Sequence, residues 1–330
     1  MKRKRLFRAA AAALMLMAAA VCAAFAEEVV PPSPEPPAAN VMGRPTPAPT
    51  EVPAATVIDH VHSPGLIPDF SFQKDRKLLE IWFPNIKDAD AAVLLYDGEV
   101  CLIDCGDARA ATRLSLLLKQ LGVEKIDVLF NSHLHHDHID GLAKTDDTAK
   151  VGEVRICFAP DLTPSGLKML EVTAERHIPV KEYRDGDRFT MGDGAVGLLF
   201  LKNGEDSLDI NNQSAQTMVT YGERSILFMA DMERPGQEAM FRRVGAERLK
   251  CDIVKYPHHG KSDMYDPFFK AMGAQAAVVT SVEGRKDGGQ TALYNRGLPA
   301  VYTSVKGMFL RLATDGEYWL IERVPVTEEQ

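Results

Sequence analysis

The segment that decides the fold reads Ser132-His133-Leu134-His135-His136-Asp137-His138-Ile139-Asp140-Gly141. It follows directly after a short apolar run at 126–130, which predicts a buried strand. Imidazoles and a carboxylate this close together would be unsatisfied in an apolar core, whereas a divalent cation would satisfy them. His133 and His135 can reach one ion, and Asp137 with His138 a second. The alternative is an exposed histidine-rich loop that binds metal adventitiously.

Two later features repeat this arrangement. Tyr256-Pro257-His258-His259-Gly260 again follows an apolar, strand-like run, and Asp231 follows another that ends at Ala230. A carboxylate in such a place is costly to desolvate unless it is paired, as a carboxylate bridging two metals is. Alone, Asp231 could instead cap a helix that begins at Met232. Its position between the two histidine clusters favours the metal.

Asp104 ends the strand predicted at 100–104 and stands two residues before Gly106. Such an aspartate could orient a ligand histidine from behind. It could equally form a turn beside the glycine, and the residues alone leave both interpretations open.

Residues 1–26 have the composition of a secretory signal peptide. A basic start is followed by an Ala-rich apolar run and by Ala24-Phe25-Ala26, a small-residue cleavage site. An uncleaved N-terminal anchor is the alternative. Residues 27–56 hold nine of the 20 prolines and are predicted to be a disordered linker. Residues 57–330 are then one domain, secreted or extracytoplasmic, with no membrane insertion after signal cleavage.

Composition and charge narrow the function classes. With 45% hydrophobic and 25% charged residues, the chain is neither collagenous nor wholly disordered. Its net charge of −8 becomes −13 when the five basic residues of 1–26 are removed. Nucleic acid is therefore a disfavoured partner, although a local basic groove stays open. The cysteines at 101, 105, 157 and 251 match no zinc-ribbon spacing and are predicted to be mostly buried, with a disulfide neither required nor excluded.

Strands and helices alternate along the domain, and hairpins are frequent. Strands are predicted at 78–83, 91–96, 100–104, 126–130, 154–158, 217–221, 225–229, 253–256, 276–280, 301–304, 308–312 and 318–321. Helices are predicted at 109–121, 164–176, 237–244 and 266–272. This mixture predicts a layered α/β fold of two sheets with helices outside, not a doubly wound parallel sheet.

The motifs together resemble those of the metallo-β-lactamase superfamily. His133-x-His135-x-Asp137-His138 is similar to its H-x-H-x-D-H signature, and Asp104-Cys105-Gly106 to its early Asp-Thr-Gly. More narrowly, Val254-Lys255-Tyr256-Pro257-His258-His259-Gly260 and Asn211-Asn212-Gln213-Ser214 resemble motifs of the bacterial competence DNA-uptake channel protein and its free-standing relatives. The resemblance implies a single-domain αββα sandwich with a metal site at one edge of the sheets.

The resemblance also implies a ligand set. Two divalent ions, zinc or manganese, would activate a bound water as hydroxide, and Asp231 would bridge them. The family's third histidine is missing, so Asn212 or Ser214 would take its place. The ligands would be His133, His135, Asp137, His138, Asn212, Asp231 and His259, with Asp104 orienting a histidine; His258 could replace His259, and the other of the two would contact the substrate. Asp137, His258 and Lys261 would act on the substrate, Lys261 as a cation for phosphate or carboxylate, although Lys261 could also be an ordinary solvated lysine.

Three functions follow as hypotheses. The first is a secreted hydrolase of a phosphodiester, either nucleic acid or a small or cell-envelope phosphodiester. The second is a hydrolase of a carboxylic ester, lactone or amide. The third is a non-catalytic extracellular domain that binds a ligand through a degenerate metal site.

Overall fold

The computed structural model describes the backbone of residues 57–59 and all atoms of 76–205 and 209–327. The strands within these ranges are Val57–Asp59 (β1), Leu79–Phe83 (β2), Ala91–Tyr96 (β3), Glu99–Cys105 (β4), Lys125–Ile126 (β5), Val128–Phe130 (β6), Lys150–Val151 (β7), Val154–Ile156 (β8), Val180–Glu182 (β9), Arg188–Met191 (β10), Val196–Leu201 (β11), Gln216–Tyr221 (β12), Arg224–Phe228 (β13), Ile253–Lys255 (β14), Ala276–Val279 (β15), Ala300–Tyr302 (β16), Met308–Thr314 (β17) and Trp319–Pro325 (β18). The helices are Ala108–Gln120 (α1), His136–Ile139 (α2), Leu142–Thr148 (α3), Pro164–Arg176 (α4), Arg234–Val244 (α5), Asp266–Met272 (α6) and Gly288–Arg296 (α7).

These strands form two mixed sheets. The first has the order β1-β18-β17-β2-β3-β4-β6-β8-β9, and the second the order β10-β11-β12-β13-β14-β15-β16. Strands β4, β6, β8 and β9 run parallel, as do β13 to β16. Strand β11 shares the direction of β13, because both are antiparallel to β12. The carboxyl ends of these strands define one edge of the molecule, called the site edge below.

The two sheets pack face to face, and helices cover both outer faces. Apolar side chains of the first sheet, such as Phe83, meet those of the second, such as Phe200 and Phe228. On the first sheet's outer face lie buried residues of α1 to α4, including Leu114. On the second sheet's outer face lie residues of α5 to α7, including Phe268. The predicted αββα sandwich is therefore confirmed.

Local sequence explains how several elements begin and end. The β3–β4 hairpin turns at Asp97-Gly98, both with positive φ, which suits the two-residue turn predicted there. Helix α4 starts at Pro164, after Thr163 whose hydroxyl accepts the Gly166 N–H at 3.0 Å. It ends at the exposed His177, which closes the helix in the left-handed region.

Some predictions lie outside the described residues, namely the signal peptide and the linker over 1–56. No helix in the described ranges is long and apolar enough to cross a membrane. The four cysteines 101, 105, 157 and 251 are free thiols, three buried and Cys157 half-buried. They therefore behave as small apolar side chains in the described structure.

Candidate functional site

Asp104 positions the residues that follow β6. It is the second-last residue of β4 and has a left-handed conformation, φ +58°, which aspartate tolerates better than most residues. Its buried carboxylate accepts hydrogen bonds from Ser132 N at 2.8 Å and Ser132 Oγ at 2.6 Å. His138 Nδ1 lies 2.7 Å from the same carboxylate. The structure thus places Asp104 where it orients a histidine ring.

His133 and His135 lie side by side in the loop between β6 and α2. His133 is fully buried, and its Nε2 is 3.1 Å from His135 Nδ1. On its other side, His133 Nδ1 is 3.1 Å from the hydroxyl of Ser132. The ring centroids of His133 and His138 are 4.0 Å apart. The alternation of the sequence motif therefore brings both rings to the same cluster.

Asp231 belongs to the cluster and does not cap the next helix. It is 1% exposed, and its Oδ1 lies 3.3 Å from His138 Nε2. Helix α5 begins at Arg234, and its amino end is capped by another residue, described below. The capping interpretation of Asp231 is therefore wrong.

The adjacent histidines His258 and His259 have different surroundings. Both have positive φ in a tight turn, so their rings leave the backbone in different directions. His259 is buried, with its Nε2 3.4 Å from Asp137 Oδ2 and 3.6 Å from Asp231 Oδ2. His258 keeps 18% of its side chain exposed. Its Nε2 lies 3.7 Å from Asp231, and its Nδ1 lies 2.8 Å from Glu233 Oε1.

The sequence interpretation missed a buried pair beneath His259. Asp90 Oδ1 lies 3.1 Å from His259 Nδ1 and accepts a hydrogen bond from Thr280 Oγ1 at 2.6 Å. The other Asp90 oxygen pairs with the Lys255 ammonium, which also donates to the Ala230 carbonyl at 3.2 Å. Asp90 therefore orients His259 as Asp104 orients His138, and Lys255 balances its charge. The sequence signals were an acidic residue before β3 and a lysine within the motif Val254-Lys255-Tyr256-Pro257, at the end of an apolar strand.

The inward-facing atoms of these residues converge. Ligand atoms of Asp137, His138, Asp231 and His259 all lie within 4.8 Å of one another. His138 Nε2, His259 Nε2 and Asp231 Oδ1 are buried without a hydrogen-bond partner. A buried polar atom without a partner is costly, and several in one place point to a shared partner. Imidazole and carboxylate are donors that zinc and manganese accept, so the residues fit a divalent cation.

The electrostatics of the cluster favour positive charge at its centre. Burial alone would raise the pKa of Asp231, but His259 and His138 hold it well below its usual value. Burial opposes a charged His138, yet the carboxylates of Asp231 and Asp104 raise its pKa well above the usual value. His133 differs, because burial and the nearby His138 lower its pKa. A divalent cation would supply the positive charge that these carboxylates stabilise.

Asn212, predicted as a ligand, is used elsewhere. Its Oδ1 accepts hydrogen bonds from Glu233 N at 3.1 Å and Gly236 N at 2.9 Å, which caps the amino end of α5. Its Nδ2 donates to Asp209 at 3.0 Å. The prediction for Asn212 is therefore corrected, because both ends of its amide are engaged. The neighbouring Asn211 adjoins His135 and has a buried Oδ1 without a partner.

The remaining predicted positions are Ser214 and Lys261. Ser214 is buried, and its hydroxyl accepts a hydrogen bond from Gln216 Nε2 at 3.2 Å. Lys261 is half-exposed, directly after the turn that carries His258 and His259, and its charge acts on the carboxylate of Asp88. The structure thus brings Lys261 to the rim of the site, with Asp137, His258 and Asp231 deeper in.

Comparisons with known proteins agree with this arrangement. The profile of the Metallo-beta-lactamase superfamily matches residues 88–281, more than half of the chain. Ribonuclease Z of Clostridioides difficile (strain 630) is 39% identical over 71 residues, 18% of this chain and 22% of that protein. Ribonuclease Z of Clostridium tetani is 39% identical over 56 residues, 17% of each chain. The matched part is thus about a fifth of these relatives' length.

Among solved structures, the chain is similar to the metallo-beta-lactamase fold protein YhfI of Bacillus subtilis. The TM-score is 0.45 and the identity 14%, over 68% of this chain and 95% of that one.

Proposed function

The chain belongs to the metallo-β-lactamase superfamily and is a metal-dependent hydrolase of that fold, and we propose that it hydrolyses a phosphodiester. The observation that carries this proposal is the convergence of unpartnered atoms of His138, His259 and Asp231, with His258 Nε2 3.7 Å from Asp231. The short similarities to ribonuclease Z support a phosphodiester, as do the motifs that resemble those of the competence channel protein. The sequence of residues 1–26 supports secretion.

The ligand assignment follows from the two halves of the site. Asp137, His138, Asp231 and His259 would hold one cation, and His133, His135 and Asn211 would approach a second. We propose zinc or manganese, for which these donors are suited. When bound, such a cation lowers the pKa of water and stabilises charge on a phosphoryl oxygen.

The chain's own residues supply binding and proton transfer. Lys261 at the rim would pair with a non-bridging oxygen of the phosphodiester. Asp137 is partly exposed, and although burial would raise its pKa, the neighbouring His259 ring, whose Nε2 lies 3.4 Å away, and the His138 charge hold it low. It stays an anion that can orient the attacking water and accept its proton.

His258 is suited to protonate the leaving group. Glu233 holds its Nδ1, so the exposed edge of the ring presents Nε2. In the reaction, the water oxygen forms a bond to phosphorus and the bond to the leaving oxygen breaks. His258 Nε2 gives its proton to that oxygen, while the hydrogen bond between Nδ1 and Glu233 keeps the ring in place.

The test is a substrate panel on the metal-loaded protein. Bis(4-nitrophenyl) phosphate represents phosphodiesters, 4-nitrophenyl acetate and a lactone represent carboxylic esters, and nitrocefin represents β-lactams. We expect turnover of the phosphodiester, lost in Asp231→Asn. Turnover confined to the ester, lactone or β-lactam would contradict the proposal, and bound metal without any turnover would favour a binding domain.

A further inference from the structure

A cavity of about 260 Å³ at the site edge is called here the Lys202 pocket. Its residues Cys157, Tyr183 and Lys202 directly follow β8, β9 and β11. It adjoins the metal-binding loop, because Cys157 Sγ donates to the Ser132 carbonyl at 3.3 Å. A second contact runs from Asn203 Nδ2 to the carbonyl of Asn212. The pocket therefore opens beside the first half of the site.

This pocket carries an excess of positive charge. Its lining contains Arg184, Lys202 and Arg243 against the single carboxylate of Asp185. Arg243 pairs with Asp185, which also accepts the Lys202 N–H at 2.7 Å. The Lys202 ammonium donates to the Cys157 carbonyl at 3.0 Å and lies 4.1 Å from the centroid of the Phe158 ring, so it is held at the pocket without a carboxylate beside it in the described part of the chain. Arg184 is exposed, with Glu182 as a loose partner 3.8 Å away.

A second basic cavity, of about 350 Å³, is called here the Arg113 pocket. It also lies at the site edge, because its residues Asp107 and Ser304 follow β4 and β16. It adjoins the other side of the site through the short segment from Asp88 to Asp90, where Asp90 N donates to the Asp137 carbonyl at 3.0 Å.

The acids of the Arg113 pocket are already engaged. Asp107 caps α1 by accepting N–H bonds from Arg109 and Ala110, and Asp88 pairs with Arg285. The pocket's cations are Arg109, which is 3.3 Å from Asp107, Lys87, whose ammonium is 3.9 Å from Asp88, and Arg113, which is exposed on α1. Three cations thus line the cavity with two carboxylates, one of which also pairs with Arg285, so positive charge is in excess.

We propose that the two pockets bind phosphate groups of a linear phosphodiester chain on either side of the bond that is cleaved. This inference rests on the proposed function and names its substrate class. Lys261 directly follows the turn that carries His258 and His259, and its charge acts on Asp88, a residue of the Arg113 pocket. The chain as a whole carries −8, so local positive charge at both flanks of the site is not a consequence of composition.

The pockets indicate recognition of the backbone and not of bases. Among the described residues that line them, the aromatic ring of Tyr183 is buried, and its hydroxyl donates to the Asn131 carbonyl at 2.8 Å. Sites that bind the bases of single strands offer exposed aromatic rings for stacking. Phosphate contacts instead give sequence-tolerant binding that weakens with salt.

The kinetic test compares substrates with one phosphate and with many. We expect kcat/KM per phosphodiester to be higher for a ten-residue oligothymidylate than for the dinucleotide thymidylyl-thymidine, which has the same leaving group and one phosphate, and to fall more steeply with salt. Each phosphate contact contributes a slope of about −0.7 in log kcat/KM against log salt. The same kcat/KM is measured for poly(glycerol phosphate) of matched length. The ratio of the two values shows whether the preferred chain is a nucleic acid or a polyol phosphate.

Matched double variants assign the effect to the pockets. Arg184→Gln/Lys202→Gln and Lys87→Gln/Arg113→Gln should each lower kcat/KM for the chain about tenfold, the factor expected for lost charge-assisted hydrogen bonds. Turnover of bis(4-nitrophenyl) phosphate should not change. The control is Lys125→Gln/Lys250→Gln, two exposed lysines before β6 and β14 at the opposite edge.

Binding to the metal-free protein separates this inference from the proposed function. Fluorescent oligothymidylate is titrated into chelated protein, and its anisotropy should report binding that both pocket variants weaken and the control does not. If the protein binds the chain in this way but cleaves no phosphodiester, phosphate binding by the two pockets is supported and the proposed function is contradicted. If it cleaves bis(4-nitrophenyl) phosphate without chain preference or chain binding, the inference is overturned. A strong dependence on base sequence would also overturn it.

Discussion

The two halves of the proposed metal site both contain histidines, but these histidines are supported differently. In the half formed by Asp137, His138, Asp231 and His259, both histidine rings have a buried carboxylate at Nδ1, Asp104 at 2.7 Å and Asp90 at 3.1 Å. In the half formed by His133 and His135, a serine hydroxyl and the neighbouring ring take those places. We shall call these the carboxylate-supported half and the serine-supported half.

The difference has a physical consequence. A carboxylate behind an imidazole fixes its tautomer and raises its basicity as a ligand, whereas a hydroxyl does so less. The serine-supported half also lacks a third histidine and has Asn211 beside it. We therefore expect the carboxylate-supported half to hold its cation more tightly. The predictions below test that ranking.

The largest effect is expected from Asp231→Asn. Asp231 faces His138 and His259, and its charge also acts on His133 and His135, so the change removes a charge that both halves share. Losing a residue that supports a ligand weakens metal affinity by roughly 100-fold at most. We expect Asp231→Asn to weaken metal affinity more than this and to abolish turnover. Elemental analysis of purified protein measures the bound metal. The control is Asp193→Asn in the exposed β10–β11 turn. Full metal content in Asp231→Asn would contradict the proposed metal site.

The next effect concerns Lys255, which has no counterpart in the serine-supported half. Lys255→Met leaves Asp90 buried without its cation, and breaking such a pair costs about 3–5 kcal/mol of unfolding free energy. Denaturant unfolding of the metal-free protein measures this. Lys255→Met/Asp90→Asn should recover part of the stability, because neither charge is left uncompensated. Equal stability of the wild type and Lys255→Met would contradict the buried pair.

How much of this the sequence could predict depends on the range of the interactions. The histidine clusters and Asp231 follow strands within a few residues, so their convergence followed from strand order. Asp90 and Lys255 are 165 positions apart. The local sequence around either residue does not predict this pair, because the packing of the two sheets brings the two residues together.

Helix α7, which the sequence did not predict, also depends on tertiary packing. It begins with Gly288 and Gly289, which disfavour helix. A Cβ at Gly289 would lie 2.5 Å from the carbonyl oxygens of both Gly260 and Ser262, so the helix packs against the turn that carries His259. Strand β11 and the short α3 were also missed, although β11 is apolar throughout. Tertiary packing here outweighs local propensity.

A direct measure of the ranking compares Asp104→Asn with Ser132→Ala. Loss of the carboxylate behind His138 should weaken metal binding about 10- to 100-fold, the range for outer partners of ligand histidines. Ser132→Ala should weaken it less, although Ser132 also donates to Asp104. Competition with a chromophoric chelator gives both affinities. A larger effect from Ser132→Ala would reverse the ranking of the two halves.

The smallest effect separates two neighbours in the loop beside the serine-supported half. Asn212→Ala removes the cap of α5 and should cost about 0.5–2 kcal/mol of unfolding free energy while leaving metal content unchanged. Asn211→Ala should do the opposite, lowering the occupancy of the weaker ion with little change in stability, because its Oδ1 has no hydrogen bond to lose. Thermal unfolding of chelated protein and metal content of loaded protein are measured on both variants. If Asn212→Ala loses metal and Asn211→Ala does not, the ligand of the serine-supported half is the residue that the sequence motif indicated, and the cap is incidental.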